Sequence, residues 1–333
     1  MAVYHWGIIG PGSIATKFAD ALVKSTRGKL LAVASRSPER ALDFAQRYGV
    51  DRIYNEYGDL MHDPEIDIIY IATPHSHHFQ IAKQCLEAGK NVLLEKPLTI
   101  NAAQTRILIE LAQSKGLLLQ EALWSRFMPC YAQIKKWLQA GKIGQLQYIQ
   151  SDIGFAFSGD ADHRMSNPLL AGGALLDLGI YSISISQFLL EQVPDTVQAI
   201  SHLDTNGVDE HTQVNMHYPS GQLSQFSCSF KAQCTNSMTL VGDLGRIHLP
   251  EHFWVGEQAQ LWRDGKLLET VDFPHAVNGF EYQIEECMAC IDEGKICSDV
   301  MSHKDSLAVM RVMDEVRNQI GLKYNDELES VSP

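Results

Sequence analysis

Through the first 123 residues, continuous apolar runs alternate with stretches of helical period. The runs are "YHWGIIG", "KLLAVASR", "EIDIIYIATP", "KNVLLEKP" and "LLLQEALW". Strands that are apolar throughout are expected where a sheet is covered on both faces. Between them, "SIATKFADALVKS", "SPERALDFAQRYG", "HFQIAKQCLEAG" and "NAAQTRILIELAQSKG" place apolar residues at helical spacing. Ser37 and Asn101 are the expected N-caps of two of these helices; Pro38 suits a first helical position and Gly49 a helix end. This alternation predicts a doubly wound parallel sheet.

Beyond residue 123 the pattern changes. A helix in "YAQIKKWLQAGKIG" leads to a long strand, "QLQYIQSDIGFAF", and then to the apolar segment "AGGALLDLGIYSISISQFLL". Seven strand-like segments follow in series, from "TVQAISHL" to "KLLETVDF", joined by short connections such as Pro219-Ser220-Gly221 and Asp264-Gly265. Two helices, "GFEYQIEECMACIDEG" and "KDSLAVMRVMDEVRNQIG", close the chain. The expectation is an α/β protein: a doubly wound domain over 1–123, then an α+β domain over 124–333 with a large, mostly antiparallel sheet. Few helices remain to cover that sheet. Ile153, Phe155 and Phe157 align along one strand, and Phe226, Cys228 and Phe230 along another. One face is expected to pack on the helix of residues 172–190. The other is expected to be apolar and to pair with a second copy in a homodimer.

Charge and composition narrow the class. The formal net charge is −13, which argues against nucleic acid as the main partner. "MAVYHWGIIG" lacks the basic and apolar regions of a signal peptide, and no apolar run approaches 18 residues, so no membrane span is expected. Seven irregularly spaced cysteines fit a reduced, cytoplasmic chain. Cys287 and Cys290 form a C-x-x-C without a second pair at zinc spacing. They read as two small apolar residues on one helix face, and no metal site is expected.

The chemistry-bearing residues gather at strand ends. "GIIGPGSIA" places Gly10, Gly12 and Ala15 in a G-x-G-x-x-A turn between a strand and a helix. Gly10 permits the tight turn, Gly12 lets the backbone approach a pyrophosphate, and Ser13 and Ile14 open the helix whose N-terminus would hold it. The second strand ends in Ser35 and Arg36 with no acidic residue at its tip. A carboxylate there would bind the ribose diol of NAD; its absence favours NADP, unless Arg36 is only a solvated loop residue. Thr73, Pro74, His75 and His78 follow the next strand, and Glu95 and Lys96 end the one after. Pro97 must turn the chain sharply there, and a cis Lys96–Pro97 bond is expected. Asp177 and Tyr181, four residues apart, would share one face of a helix. Taken alone, they are as readily a buried packing pair as a catalytic one.

In this order and spacing, "GIIGPGSIA", "IATPHSHH", "EKPLT" and "GGALLDLGIY" resemble the Gfo/Idh/MocA oxidoreductases, over the whole chain. "EALWSRFMP" and "GGALLDLGIY" look most like the branch of dihydrodiol and NADP-dependent xylose dehydrogenases. The resemblance implies an NAD(P)-dependent oxidoreductase that moves a hydride between nicotinamide and a hydroxyl or carbonyl of a sugar, polyol or trans-dihydrodiol. It makes Lys96 the catalytic lysine and Asp177 the aspartate of the second motif. Tyr181 stands where many members have histidine, which shifts proton transfer to a phenol. His75 would pass the nicotinamide and His78 would sit at the helix start. Trp124 and Arg126 would line the pocket, although an aromatic there is equally suited to core. A non-catalytic dinucleotide-binding regulator and a keto-sugar reductase stay open beside the dehydrogenase.

Overall fold

A computed structural model describes residues 2–157 and 163–331. Two compact units emerge. The first takes the chain up to Trp124 and adds Ala276–Leu307 and Val331; the second takes Ser125–His275 and Ala308–Ser330.

In the first unit the chain runs β1 (Tyr4–Ile9), α1 (Ser13–Leu22), β2 (Gly28–Ala34), α2 (Pro38–Tyr48), β3 (Arg52–Tyr54), α3 (Tyr57–Met61), β4 (Ile68–Ile71), α4 (His78–Glu87), β5 (Asn91–Glu95), α5 (Ala102–Lys115) and β6 (Leu119–Ala122). The six strands are all parallel, in the order β3-β2-β1-β4-β5-β6. This is the doubly wound dinucleotide-binding order. Ile8, Ile9, Val33, Ile69, Ile71, Leu93 and Leu94 are fully buried, which is why these strands read as unbroken apolar runs. Ser37 and Asn101 accept hydrogen bonds from Arg40 N and Gln104 N, and Gly49 closes α2 in the left-handed conformation. Strand β3 and the short α3 lack sequence signals: the strand is three residues long and only half-buried.

The second unit contains α6 (Pro129–Gln139), β7 (Leu146–Gly154), a π-helical turn (Leu175–Gly179) continuing into α7 (Ile180–Leu190), and β8 (Thr196–Leu203). Strands β9 (Asp209–His217), β10 (Leu223–Ser229), β11 (Met238–Gly242), β12 (Gly245–Leu249), β13 (Gln258–Arg263) and β14 (Lys266–Asp272) follow. The chain ends with α8 (Phe280–Asp292), α9 (His303–Ile320) and α10 (Asp326–Glu329). Eight strands form one sheet in the order β14-β13-β12-β11-β7-β10-β9-β8. It is antiparallel except for the β7–β10 pair, which is parallel.

Three expectations need correction. An unbroken 124–333 domain is too simple, because residues 276–307 belong to the first unit. Helix α8 packs on α1. The following segment closes the exposed edge of β6: Leu119 N donates to Ile296 O (2.9 Å), and Ser298 N donates to Gln120 Oε1 (2.9 Å). Edge strands need such cover. Cys287 and Cys290 are buried on α8, and burial pushes the Cys290 thiol up to about 12.

The second correction concerns the apolar segment. Residues 168–190 form a helical stretch long and apolar enough to cross a membrane, but it is almost wholly buried inside the protein. It is the core helix of the second unit.

The third concerns the sheet. Ile149 and Ile153 of β7, Phe226 and Cys228 of β10, and Val214 and Met216 of β9 are buried on one face. That face carries α7: Ser151 donates to Ser182 Oγ (2.9 Å). The other face is mixed rather than apolar throughout. It shows Gln150, Gln213, Asn215, Gln225, Ser227 and Thr239, with Tyr148, Leu223 and Ile200, which pairs with Gln213, among its exposed apolar members. Neighbouring strands in register superpose their alternation, so Phe226 falls on the covered side with Ile149 and Ile153, while Phe155 and Phe157 lie beyond the end of β7 and are only half-buried.

Gly154 lies where β7 meets the chain after β10. An added Cβ would stand 2.6 Å from Ser229 O and 3.1 Å from Ala232 O, both backbone atoms. Gly154→Ala should therefore destabilise the protein by about 1–3 kcal/mol, the usual cost of overpacking. A thermal or urea melt checks this; an unchanged midpoint would contradict the close approach.

Candidate active site

In the first unit, the predicted ligand-binding residues gather at the carboxyl ends of the parallel strands. Gly10 has φ of +87°, and a Cβ there would stand 3.0 Å from Ala72 O. Only glycine turns this tightly without strain. A Cβ on Gly12 would meet nothing within 4 Å. Gly12 precedes α1, whose first turn has no side-chain cap. Four backbone N–H groups open any α-helix without intrahelical partners, and the helix dipole favours an anion there. Ser13 and Ile14 are in that turn. An open glycine face beside uncapped amides fits a pyrophosphate.

Ser35 and Arg36 follow β2. Ser35 is buried, its amide donates to Tyr54 O (3.1 Å), and its Oγ accepts from Ser37 N (3.1 Å). Arg36 and Arg40 are exposed. His77 lies close enough to Arg36 for that positive charge to help lower its pKa, after the larger effect of burial. Beyond β4, Thr73 Oγ1 is buried with no hydrogen-bond partner among the described residues. Pro74 leads into a short 3₁₀ turn, and His75 lies buried with its ring edge-on to His78, 5.7 Å between centroids.

The Lys96 turn is tied down by side chains from three strands and a helix. The Lys96–Pro97 bond is cis, as expected. Glu95 is buried and accepts from Tyr70 of β4, whose ring stacks on Phe18. Glu121 of β6 accepts from Leu98 N (2.8 Å). His78 is fully buried; its Nδ1 lies 2.8 Å from Pro97 O and its Nε2 2.9 Å from Thr73 O. Burial brings the imidazole pKa down to about 4, so the ring is neutral and donates to one carbonyl at a time. His78, the first residue of α4, ties the Thr73-Pro74 loop to the turn that carries Lys96.

In the second unit, Asp177 and Tyr181 are both buried along the same helical segment, with 7 % and 8 % exposure. The turn containing Asp177 is π-helical, an arrangement frequent at functional sites. Arg164 Nη2 pairs with Asp177 Oδ2 at 3.3 Å. Arg126 is also buried here. Its Nε donates to Ser184 Oγ (2.7 Å), its Nη2 donates to Ser184 O (2.9 Å), and the guanidinium lies over Phe188. Expected beside a ligand, Arg126 is an anchor of α7. Trp124, in the first unit, stacks on Phe280 at 4.7 Å.

Trp254 escaped the sequence reading. Its ring lies 6.2 Å from that of Tyr181. Ser125 donates to Trp254 O and Tyr131 to Phe253 O (2.6 Å), which fixes the loop holding the indole. Nothing in "HLPEHFWVG" signals this, because Tyr181, Ser125 and Tyr131 all lie far away in sequence. Among the described residues, no three His, Cys, Asp or Glu side chains are placed to hold a metal ion.

Comparison with known proteins agrees with this arrangement. Residues 4–123 match the family model described as "Oxidoreductase family, NAD-binding Rossmann fold", and residues 131–248 match the "GFO/IDH/MocA C-terminal domain". The chain is 34% identical to trans-1,2-dihydrobenzene-1,2-diol dehydrogenase of Danio rerio, over 97% of this chain and 98% of that one. It is also 34% identical to D-xylose 1-dehydrogenase (NADP(+)) of Hypocrea jecorina, over 96% of this chain and 92% of the relative. Among solved structures, the aldose-aldose oxidoreductase of Caulobacter crescentus, complexed with glycerol, superposes with a TM-score of 0.88 at 25% identity, covering 95% of this chain and 97% of that one. An uncapped dinucleotide turn, a lysine at a parallel strand end and an Asp–Tyr helix under a large sheet thus coincide with full-length similarity: the chain belongs to the Gfo/Idh/MocA family of NAD(P)-dependent oxidoreductases.

Proposed function

We propose that this protein is an NADP-dependent dehydrogenase that oxidises a hydroxyl group of a sugar, polyol or trans-dihydrodiol, with Lys96, Asp177 and Tyr181 as its catalytic residues. The observation that carries the reading is the buried Asp177–Tyr181 helix in a chain whose full-length relatives are dehydrogenases of those substrates. Bound NADP⁺ supplies the hydride acceptor. The protein must take the hydroxyl proton. A free phenol, with pKa near 10, is a weak base at neutral pH. Tyr181 takes this proton, and the Lys96 ammonium supplies the positive charge that favours its phenolate. Asp177 orients the lysine or the substrate hydroxyl. Glu121 and His78 hold the Lys96 turn, so the lysine meets substrate with little left to reorganise.

NADP preference rests on the tip of β2. No carboxylate stands there to repel a 2′-phosphate. The exposed Arg36 guanidinium offers a bidentate pair, with Arg40 four residues on and His77 close enough in space to feel the Arg36 charge. A homodimer through the open sheet face also fits. Gln150, Gln213, Asn215 and Gln225 are uncharged, and each amide both donates and accepts. Such a face is complementary to a copy of itself across a twofold axis.

Lys96→Ala and Tyr181→Phe should each lower turnover by about 10²-fold or more, the usual scale for an acid–base group. NADP⁺ binding should survive in Tyr181→Phe. Near-wild-type turnover there would remove the phenol from the mechanism. A spectrophotometric screen of pentoses, hexoses, inositols and trans-dihydrodiols identifies the substrate.

Wild type should favour NADP⁺ over NAD⁺ in kcat/KM. Arg36→Ala should erase most of the difference, because a charge-assisted bond contributes roughly 1.5–3 kcal/mol, or about ten- to a hundredfold. A wild type that prefers NAD⁺ refutes the assignment at Ser35 and Arg36.

Light scattering should give twice the 37.2 kDa chain mass. Lysines at both Gln150 and Gln225 should dissociate the dimer by like-charge repulsion. A wild type that stays monomeric at micromolar concentration contradicts this arrangement.

A further inference from the structure

One buried carboxyl in the second unit lies outside the motifs considered so far. Asp209, the first residue of β9, is fully buried. Its Oδ2 accepts from Leu175 N (2.7 Å) and from Thr212 Oγ1 (2.8 Å), and Thr212 Oγ1 in turn meets Ser201 Oγ at 2.9 Å. Its Oδ1 has no hydrogen-bond partner among the described residues. Leu175 opens the π-helical turn that contains Asp177 and continues into the helix of Tyr181. The carboxyl therefore holds the first amide of that segment.

The turn before Leu175 is shaped around the same group. Gly173 has φ of +120°, and a Cβ on it would stand 2.2 Å from Asp209 Oδ1. Gly173 N donates to Met165 O (2.9 Å), and Gly173 O accepts from Asp177 N (3.3 Å). Gly172 O accepts from Tyr324 OH. A Cβ on Gly172 would strike Arg164 O and Met165 O at 2.7 Å. The two glycines are thus the only residue type that lets this backbone lie against Asp209 and the chain at 164–165. Asp177 N thus bonds the carbonyl of the glycine that lies against the carboxyl, two residues beyond the Leu175 amide that the carboxyl holds.

We propose that Asp209 is a positioning residue for the reaction: its carboxyl fixes the start of the helical segment and so sets the placement of Asp177 and Tyr181. The proposal rests on the reading of that pair as catalytic. It assigns a role to a residue thirty-two positions beyond Asp177. Burial pushes the Asp209 carboxyl up to about 7, against the pull of its hydrogen bonds and of the Arg317 charge. Arg317 of α9, Tyr324 and Cys228 of β10 are the titratable groups that interact with it. In the unfolded chain it would ionise near pH 4. The folded value is the higher one, so its contribution to stability is complete below about pH 4 and is lost as the pH rises to about 7.

The test compares wild type, Asp209→Ala, Asp209→Asn and Tyr181→Phe. Amide hydrogen exchange is followed over residues 173–181, together with NADP⁺ affinity and steady-state kinetics. The substrate is D-xylose or trans-1,2-dihydrobenzene-1,2-diol, whichever wild type oxidises. Asp209→Ala should speed exchange in that segment and lower kcat by about 10²-fold, the scale of a small misplacement of reacting groups. NADP⁺ affinity should be unchanged, and Asp209→Asn, which keeps the accepting oxygen, should restore most of kcat. Unchanged exchange in Asp209→Ala overturns the proposal. So does faster exchange with full kcat while Tyr181→Phe is inactive, and the catalytic reading then stands. Full turnover in Tyr181→Phe overturns the catalytic reading and the positioning role of Asp209 with it. Where Asp209→Ala does not fold, Asp209→Asn decides through thermal melts. Relative to wild type, its Tm should rise as the pH goes from about 4 to 7, and a difference in Tm that does not change with pH counts against the proposal.

Discussion

A buried peptide group without a hydrogen-bond partner costs roughly 1–3 kcal/mol, and this protein meets that constraint with side chains brought from distant elements. His78, set between the carbonyls of Thr73 and Pro97, donates to one of them; Glu121 serves the amide of Leu98, and Asp209 the amide of Leu175. Arg126 serves the carbonyl of Ser184, Tyr131 that of Phe253, and Lys90 those of Asp63 and Ile66. Apart from the Arg126 bond, which anchors helix α7, these bonds hold loops, turns and helix starts. The Lys96 turn, the Asp177 turn and the Trp254 loop are all held this way. Rigidity in each is thus a by-product of satisfying buried backbone, and for the residues proposed as catalytic it fixes the side chains before any ligand arrives.

The fold was legible where periodicity is strong. Strands buried on both faces read as apolar runs, and helices with Ser or Asn caps announce their starts. Strand β3 was not legible, because a three-residue edge strand carries too few positions for any period. The sheet faces were misjudged for a different reason. Alternation within "QLQYIQSDIG" marks two faces but not which one is covered, since that depends on which strand lies beside it. The parallel neighbour β10 pairs Ile153 with Cys228 and Ser151 with Phe226. The phenylalanine of β10 therefore sits over a serine that reaches α7, and the glutamines face outward. Only the register across the pair settles this.

The site was legible by backbone demand and illegible by side-chain type. Gly10 is forced by a positive φ close to Ala72, so its role can be read from the turn alone. His78 and Arg126 look in sequence like ligand contacts, yet both spend hydrogen bonds on main chain. A donor aimed at a carbonyl and a donor aimed at a phosphate are the same residue type. Asp209 and Trp254 were missed because each acts on a helix far away in sequence, and neither lies in a spacing that chemistry dictates.

Gly179 shows how local sequence and sheet packing together orient the Asp–Tyr pair. An added Cβ there would come within 3.2 Å of Phe226 and 3.3 Å of Cys228. The helix therefore rests its backbone directly on β10 at this point. Glycine costs a helix interior about 1 kcal/mol relative to alanine, and the close approach is what that loss permits. Two residues advance a helix by about half a turn, so positions two residues either side of Gly179 lie on the side away from the sheet. Those positions are Asp177 and Tyr181. The glycine that binds the helix to the sheet thereby aims both side chains away from it, toward Arg164 on one side and Trp254 on the other. The four-residue spacing places the two groups on one face, and the glycine midway between them decides which face that is.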